Sequence, residues 1–479
     1  MDTFHSIKPL NLYEQLANEI SQQIEEGVLN PGDRLPSVRR MSAQKNLSVS
    51  TVLQAYALLE DQGKIEARPQ SGYYTRKQDL PESACVEPHA SAQLLDPETV
   101  RSDDIVWQMM QEASKTNLLQ FGAALPAPDM MPSDRLNRII ARLARSGRIA
   151  SESYGSPQGL HELRAQVARR AYLTGVSVSA EEVVITSGCM EAIHLALHAV
   201  TRPGDLVAVE TPCYFGILLQ LEALGLRALE IPTHPRDGIS LEALEFAIEN
   251  HPIRAVIVVS NFSNPLGSLI PDERKRVLVD LLARYEIPLI EDDIYGELAF
   301  NGRRPGVAKA YDRSESVMLC SSFSKDLSAA LRVGWIIPGR YRDWLVKMKL
   351  STSVSTALLP QAAIAEYLES GGYDHHLRKI RRAYAQKADY MSRAVLKYFP
   401  EGTRVSTPQG GYVLWVQLPA GIDALDLYRQ ALKLGITIAP GHIFSTTPRY
   451  SNFIRLNAAF MDFRGERAIE QLADMVRGL

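Results

Sequence analysis

Apolar positions at the start of the chain fall at helical spacing. LYEQLANEISQQIEEG puts Leu12, Leu16, Ile20 and Ile24 four apart, one apolar stripe along a helix. Gly27 closes that helix and NPGD turns the chain. LPSVRRMSAQK predicts a second, short helix. SVSTVLQAYALLEDQG predicts a third, with Ser48 as N-cap and Gly63 as its stop. KIEARPQSGYYT then shows two β-like runs around RPQSG, a hairpin signal. Residues 1–76 therefore read as one small helical unit ending in a hairpin.

The pattern changes at residue 77. QDLPESACVEPHASAQLLDPETVRSDD is rich in Pro, Ser and acids, with weak periodicity. It predicts a linker over 77–118, flexible or loosely packed over about 77–100. From 119 to 479 strands and helices alternate. Strand-like runs occur at 182–188, 206–212, 226–232, 255–261, 288–293 and 317–322, and most are followed by helical patterns such as EAIHLALHAV. Short, mostly apolar runs alternating with helices predict a mostly parallel sheet covered on both faces. From about 373 a long charged helix leads into YVLWVQLP, ITIAP and FIRLNAAF, the pattern of a smaller α+β unit. The expected division is a large part over about 140–372 and a small part over about 119–139 and 373–479.

Composition narrows the class. The 479 residues exceed one core and suggest two or three units. The chain is 46% hydrophobic and 22% charged, ordinary for a globular protein, with no apolar run of 18 residues or more and so no expected membrane span. MDTFHSIKPL lacks the apolar core of a signal peptide. Cys85, Cys189, Cys213 and Cys320 are widely spaced, show no metal-ligand pairing, and read as free thiols of a reducing cytoplasm. The net charge of −3 leaves the question of nucleic acid to local charge.

Candidate chemistry gathers at strand ends, where open α/β sheets bind ligands. Ser187, Gly188 and Cys189 lie between a strand and a helix, a natural phosphate site. Tyr214 follows the next strand and can stack on a planar ring. Asn264 precedes Pro265, which holds its backbone extended. Asp292, Asp293 and Tyr295 end a fourth strand, and Asp293 reads as structural. SSFSK then places Ser322, Ser324 and Lys325 after a fifth strand, with Arg332 beyond. One ligand asks for all of these: flat, phosphorylated, with an aldehyde for a lysine and a ring nitrogen for a carboxylate. That ligand is pyridoxal 5′-phosphate. Arg332 is suited to grip its phosphate.

YGSPQGLHELR (154–164), SNPLG (263–267), EDDIY (291–295), SFSK (322–325) and FIRL (453–456) make residues 119–479 resemble fold-type I aminotransferases. The resemblance implies Lys325 as the aldimine lysine and Asp292 as partner of the ring nitrogen. It implies Tyr295 and Asn264 on the ring hydroxyl and Tyr214 stacked on the ring. Ser187, Gly188, Cys189, Ser322, Ser324 and Arg332 hold the phosphate, with Tyr154 reaching in from a dimer partner. Arg455 takes the α-carboxylate of an amino acid. Cys189 departs from the pattern, because a stronger donor is common there.

The N-terminal unit is similar to the winged helix-turn-helix of GntR-type regulators, on NPGDRLPSVR and PQSGYY. The second helix of such a pair enters the major groove of double-stranded DNA. The resemblance places Ser48, Ser50, Thr51 and Gln54 at base edges, Arg39 and Arg40 on phosphates, and Arg68, Gln70 and Ser71 of the hairpin tip in the adjacent groove. Residues 1–76 hold eight Lys+Arg against nine Asp+Glu, but the acids cluster in the first helix and the basic residues in the reading region. Val49 departs from relatives that often carry arginine there. A GntR-like head, a linker and an aminotransferase-like body in this order resemble the MocR subfamily of bacterial regulators. This implies a cytoplasmic homodimer that binds operator DNA and senses an amino compound, or the cofactor itself, through Lys325. A working aminotransferase with a DNA-binding head is the alternative, because binding and turnover need the same residues.

Overall fold

The computed structural model describes residues 12–25, 28–29, 32–61, 64–68, 71–75, 87–89, 96–100, 104–147 and 154–479. It divides into two units, Met1–Ala84 and Cys85–Leu479. No helix among the described residues is long and apolar enough to cross a membrane.

In the first unit, helices Leu12–Glu25, Val38–Lys45 and Val49–Asp61 precede an antiparallel hairpin of Ile65–Arg68 and Gly72–Thr75. The first helix buries Leu16, Ala17 and Ile20 against Val52, Ala55, Tyr56 and Leu59 of the third. Leu12, expected on the same stripe, stands 59% exposed at the helix end. Ser37 caps the second helix by accepting from the Arg40 amide, and Asn46 ends it in a left-handed conformation (φ 53°). Ser48 Oγ accepts from the Thr51 amide at 3.1 Å, the capping bond expected of it. Gly27, Gly63 and Gln70 lie outside the described residues.

The second unit is built on a nine-stranded sheet. Its spatial order is Glu98–Thr99, Arg227–His234, Leu206–Thr211, Ile253–Val259, Leu289–Asp292, Val317–Ser322, Gly334–Ile337, Val184–Thr186, with the short Gly238–Ile239 folded back on Arg227–His234. The strands from Arg227–His234 to Val317–Ser322 pair in parallel. Gly334–Ile337 runs against both of its neighbours. Leu206–Thr211, Leu289–Asp292 and Val317–Ser322 are buried at every position, as apolar strands covered on both faces must be. A four-stranded antiparallel sheet (Arg404–Val405, Val413–Gln417, Phe453–Asn457, Ala439–Pro440) forms the smaller part. Leu119–Gln120 pairs with Ile436–Thr437, tying residues just after 118 to that part.

Much of the expected linker is built into the second unit. Glu87 accepts from Arg236 at 2.6 Å, and the His89 amide donates to Gln417 at 3.1 Å. Glu98–Thr99 is the edge strand on Arg227–Ala228. Asp104–Glu112 is a helix whose Val106 and Met109 are buried with Phe121, Leu427 and Tyr428. Glu112 accepts from the Tyr428 hydroxyl at 2.7 Å. The stripe Val106, Met109, Ala113 has helical spacing, but the polar DPETVRSDD before it hides the signal.

Candidate functional site

The strand ends surround a cavity of about 310 Å³. Register brings them together: Asp292 pairs with Val259 on one side and Cys320 on the other, so the strands ending at 259, 292 and 322 finish side by side. Lys325 follows the last of these. Its Nζ donates to the Ala124 carbonyl at 2.6 Å and sits 5.9 Å from the centre of the Tyr295 ring. Burial, and then the nearby Arg455 guanidinium, push the Lys325 ammonium down to about 8, while Asp292 pulls the other way. A lysine so tuned offers far more reactive neutral amine near pH 8 than an ordinary lysine does.

Asp292 is buried, and its carboxylate accepts from Cys189 Sγ at 3.4 Å and from the Ile294 amide at 3.0 Å. Burial raises it to about 7 against those two bonds. The Cys189 thiol is pushed well up, first by burial and then by Asp292, so it acts as a neutral donor. Asp293 is held by Arg304 and by Asn261 Nδ2 at 2.6 Å, which fits its structural reading.

An anion cradle closes one side. Gly188 is the N-cap of helix Cys189–Val200, with φ 106°. A Cβ there would meet Arg332 Nη2 at 2.3 Å. Arg332 donates to the Ser187 carbonyl at 2.7 Å and to Ser324 Oγ at 3.3 Å, and Ser322 Oγ accepts from the Ser324 amide at 3.3 Å. Gly334 lets the antiparallel strand pass close behind, since a Cβ there would lie 2.5 Å from the Gly188 carbonyl carbon. A helix start, a guanidinium and two hydroxyls suit a phosphate.

A second cation enters from the small sheet. Arg455 is 1% exposed; it donates to Asn264 Oδ1 at 3.1 Å and to the Gly122 carbonyl, and it lies 5.4 Å from the centre of the Phe444 ring. Among the described residues its Nε has no hydrogen-bond partner, nor has the buried Tyr295 hydroxyl. Two orphaned buried polar groups beside one cavity are what a polar ligand would satisfy. Tyr214 also lines the cavity, and burial raises its hydroxyl to about 12.

The cavity thus gathers Cys189, Tyr214, Asn264, Asp292 and Tyr295, and with them Ser322, Ser324, Lys325, Arg332 and Arg455. Ser187 and Gly188 stand behind Arg332. Tyr154 is 87% exposed and is not part of its own chain's cavity. Sequence reasoning missed the Gly122 and Ala124 carbonyls, because any residue can present one. It also missed Met109, Met110 and Phe215, apolar residues that line the same space.

In the head, Arg39, Arg40, Ser48, Ser50 and Gln54 are exposed, and Thr51 is half-buried. Ser48 Oγ lies 2.8 Å from both Ser50 Oγ and Thr51 Oγ1. Ser71 Oγ lies 2.6 Å from the Tyr74 hydroxyl. Gln70 and the Arg68 side chain fall outside the described residues.

Two family models match. Residues 131–472 match "Aminotransferase class I and II", and residues 12–74 match "Bacterial regulatory proteins, gntR family". The chain belongs to the class I and II aminotransferase family and carries a gntR-family head. That order is the MocR architecture. The HTH-type transcriptional regulator YdcR of Escherichia coli K12 is 40% identical over 97% of this chain and 99% of its own. NorG, an HTH-type transcriptional regulator of Staphylococcus aureus, is 28% identical over 89% of this chain and 95% of its own. Among solved structures, the α-aminoadipate aminotransferase LysN of Thermus thermophilus, complexed with N-(5′-phosphopyridoxyl)-L-leucine, aligns with a TM-score of 0.72. It is 29% identical and covers 79% of this chain and 96% of that one. The Pyrococcus horikoshii kynurenine aminotransferase gives the same TM-score at 28% identity, covering 79% of this chain and 95% of its own. Class I and II aminotransferases depend on pyridoxal phosphate, and this donor set fits it: a depressed lysine, a buried carboxylate, a phosphate cradle and two unsatisfied polar groups.

Proposed function

We propose that the chain is a DNA-binding transcriptional regulator whose aminotransferase-like body holds pyridoxal phosphate on Lys325 and senses an amine there. The observation that carries this is the pairing of a GntR-type head with a body whose site residues converge on one cavity. When bound, the cofactor supplies an aldehyde for amines and a ring that withdraws electrons. Lys325 is its attachment point. Asp292 would hold the proton on the pyridine nitrogen, with Cys189 and the Ile294 amide fixing the carboxylate. Tyr295 and Asn264 would meet the ring hydroxyl, and Tyr214 would cover a ring face. The cradle of Ser187, Gly188, Cys189, Ser322, Ser324 and Arg332 would bind the phosphate.

Arg455 is left for the effector's carboxylate, and burial makes its charge count. An amine that took over the cofactor's aldehyde carbon from the Lys325 nitrogen would leave Lys325 as a free amine, and Arg455 would be the residue to meet the amine's carboxylate. Because Arg455 belongs to the small sheet and Lys325 to the large one, the amine changes how the two parts close. The reading includes a homodimer, with two heads for two half-sites and the exposed Tyr154 serving the partner's cavity. By linkage, operator DNA alters effector affinity by the factor that effector alters DNA affinity.

The test uses the purified full-length chain with added pyridoxal phosphate. Visible absorbance is followed while single amino acids are added. Operator affinity is measured in the same samples, and borohydride reduction with peptide mapping locates the attachment. The expected result is a band tied to Lys325 that one amino acid shifts, together with a change in operator affinity. Absence of any adduct on Lys325 overturns the reading. Loss of the band and its return with a keto acid would instead support turnover, the aminotransferase alternative, which the complete set of Lys325, Asp292 and Arg455 favours.

A further inference from the structure

Behind the phosphate cradle stands a pair of charged residues to which the function proposed above gives no task. The Ser187 backbone is gripped on both sides. Its carbonyl accepts from Arg332 Nη2 at 2.7 Å, and its amide donates to Glu191 Oε2. Glu191 lies in the first turn of helix Cys189–Val200, the helix whose start forms the cradle. The other carboxylate oxygen, Oε1, accepts from Lys349 Nζ at 3.2 Å and from Ser353 Oγ at 3.1 Å. Lys349 Nζ also donates to Ser353 Oγ at 3.3 Å.

Lys349 is buried, its side chain 0% exposed. It stands four residues after the buried Leu345 on helix Arg342–Thr352. Leu345 packs in the core that holds Ala192, Ile193 and Leu197 of helix Cys189–Val200, so the two helices share that face. Lysines are almost never fully buried unless paired. Here the partner is Glu191. Burial works to raise the Glu191 carboxyl, yet the Ser187 amide, Lys349 and Ser353 hold it below the usual carboxylate range. Glu191 is therefore ionised beside the cradle.

A negative charge in the first turn of a helix suits the helix dipole, but it draws on the same positive field as a phosphate does. Left unpaired, Glu191 would repel a phosphate held in the cradle. Paired with Lys349, it still accepts from the Ser187 amide and adds little net charge. We infer that Glu191 and Lys349 are positioning residues of the phosphate cradle. Glu191 orients the backbone of Ser187 and Gly188, and Lys349 balances the charge that Glu191 brings. Both roles depend on the cofactor site proposed above, and both rest on bonds made within one chain.

The experiment compares pyridoxal 5′-phosphate with pyridoxal, which lacks the phosphate, on the full-length chain. Affinities are read by visible absorbance and by equilibrium dialysis. In Lys349→Met the affinity for pyridoxal phosphate should fall by about tenfold or more, the scale of one unpaired charge acting on another nearby. The affinity for pyridoxal should stay close to wild type. Adding Glu191→Gln to Lys349→Met removes the unpaired charge and should restore most of the loss. A role in folding alone would weaken both ligands together, so equal losses overturn the inference. So does a loss that Glu191→Gln leaves unrepaired in a double variant whose circular dichroism matches wild type. If Lys349→Met does not fold, Glu191→Gln and Glu191→Ala decide. Both remove the charge, but only the first keeps an oxygen for the Ser187 amide. Pyridoxal phosphate should bind Glu191→Gln about fivefold more tightly than Glu191→Ala, the scale of one hydrogen bond, and equal affinities overturn the inference. If the wild-type chain binds pyridoxal phosphate on Lys325 and Lys349→Met binds it as tightly, only this inference fails. If borohydride fixes no cofactor on wild-type Lys325, the cofactor reading fails with it.

Discussion

Arg455 Nη1 donates to Asn264 Oδ1 at 3.1 Å, and this bond joins the small sheet to the loop after strand Ile253–Val259 of the large one. Both residues are buried, and among the described residues the guanidinium still has an Nε without a partner. Both terminal nitrogens of Arg455 are therefore engaged by the protein, Nη1 by Asn264 and Nη2 by the Gly122 carbonyl, and Nε is the one left without a partner among the described residues. A lysine there would keep a charge and lose the planar fork. Arg455→Lys should weaken the amino-acid response by roughly 10- to 150-fold, since a hydrogen bond to a charged group contributes about 1.5–3 kcal/mol. Cofactor retention should stay close to wild type. Amino-acid titrations of the visible band check both halves, and a full response in Arg455→Lys would remove Arg455 from effector binding.

Lys325 should show its burial as a pH dependence. Its amine is nucleophilic only when neutral, and burial lowers the ammonium to about 8 from the ordinary lysine range. The rate of covalent cofactor attachment should therefore rise with pH and level off above about 8. Asp292 opposes the lowering, because its negative charge favours the protonated amine. Asp292→Asn removes that charge, so the midpoint should move to lower pH. Lys325→Ala should give no borohydride-stable adduct at any pH and leave operator binding by the unliganded chain intact. Stopped-flow absorbance across pH ~6–10, spanning the lowered lysine and its ordinary range, measures the midpoints. An upward shift in Asp292→Asn would contradict this electrostatic account.

Gly188 tests the phosphate cradle. Its φ of 106° is one that side-chain-bearing residues rarely adopt, and a Cβ would fall 2.3 Å from Arg332 Nη2. Gly188→Ala must strain the backbone, displace the guanidinium, or do both, at a cost of roughly 1–3 kcal/mol. Cofactor affinity should fall about 5- to 150-fold. Arg332→Ala should fall similarly, and the double variant should fall by less than the product, because both changes damage one cradle. Equilibrium dialysis of the cofactor gives the three constants, and strict additivity would separate Gly188 from Arg332.

The sheet was legible because its strands are short apolar runs that end in chemistry. The run VMLCSS ends at Ser322, with Ser324, Lys325 and Arg332 beyond it, and the structure puts those residues around one cavity. Asp292 was legible for the same reason. Arg455 was legible through FIRL alone, since nothing local says that a strand of another sheet will deliver it to Lys325. The Gly122 and Ala124 carbonyls that hold Arg455 and Lys325 left no trace, because every residue carries a carbonyl. Helix Asp104–Glu112 was lost for a different reason. Its apolar stripe is short, it follows an acidic Pro-containing stretch, and its stability comes from packing on Tyr428 and Phe121.

The head allows a separate test of base reading against phosphate binding. Helix Val49–Asp61 keeps Ser50 and Gln54 exposed, and Val49 and Leu53 are 46% and 45% exposed beside them. Such a face offers hydrogen bonds from Gln54 and an apolar strip suited to thymine methyl groups. Arg39 and Arg40 stand exposed on the helix before it, where their guanidinium groups would meet phosphates without reading sequence. Gln54→Ala should cost about 1–3 kcal/mol on the operator and relax specificity at one base position per half-site, with little change on random DNA. Arg40→Ala should weaken operator and random DNA alike and lower the salt slope by about one for each phosphate it no longer neutralises. Fluorescence anisotropy at several salt concentrations, on operator and random duplexes, separates the two. Equal losses on both duplexes for Gln54→Ala would mean that this helix grips the backbone and that sequence is read elsewhere in the head.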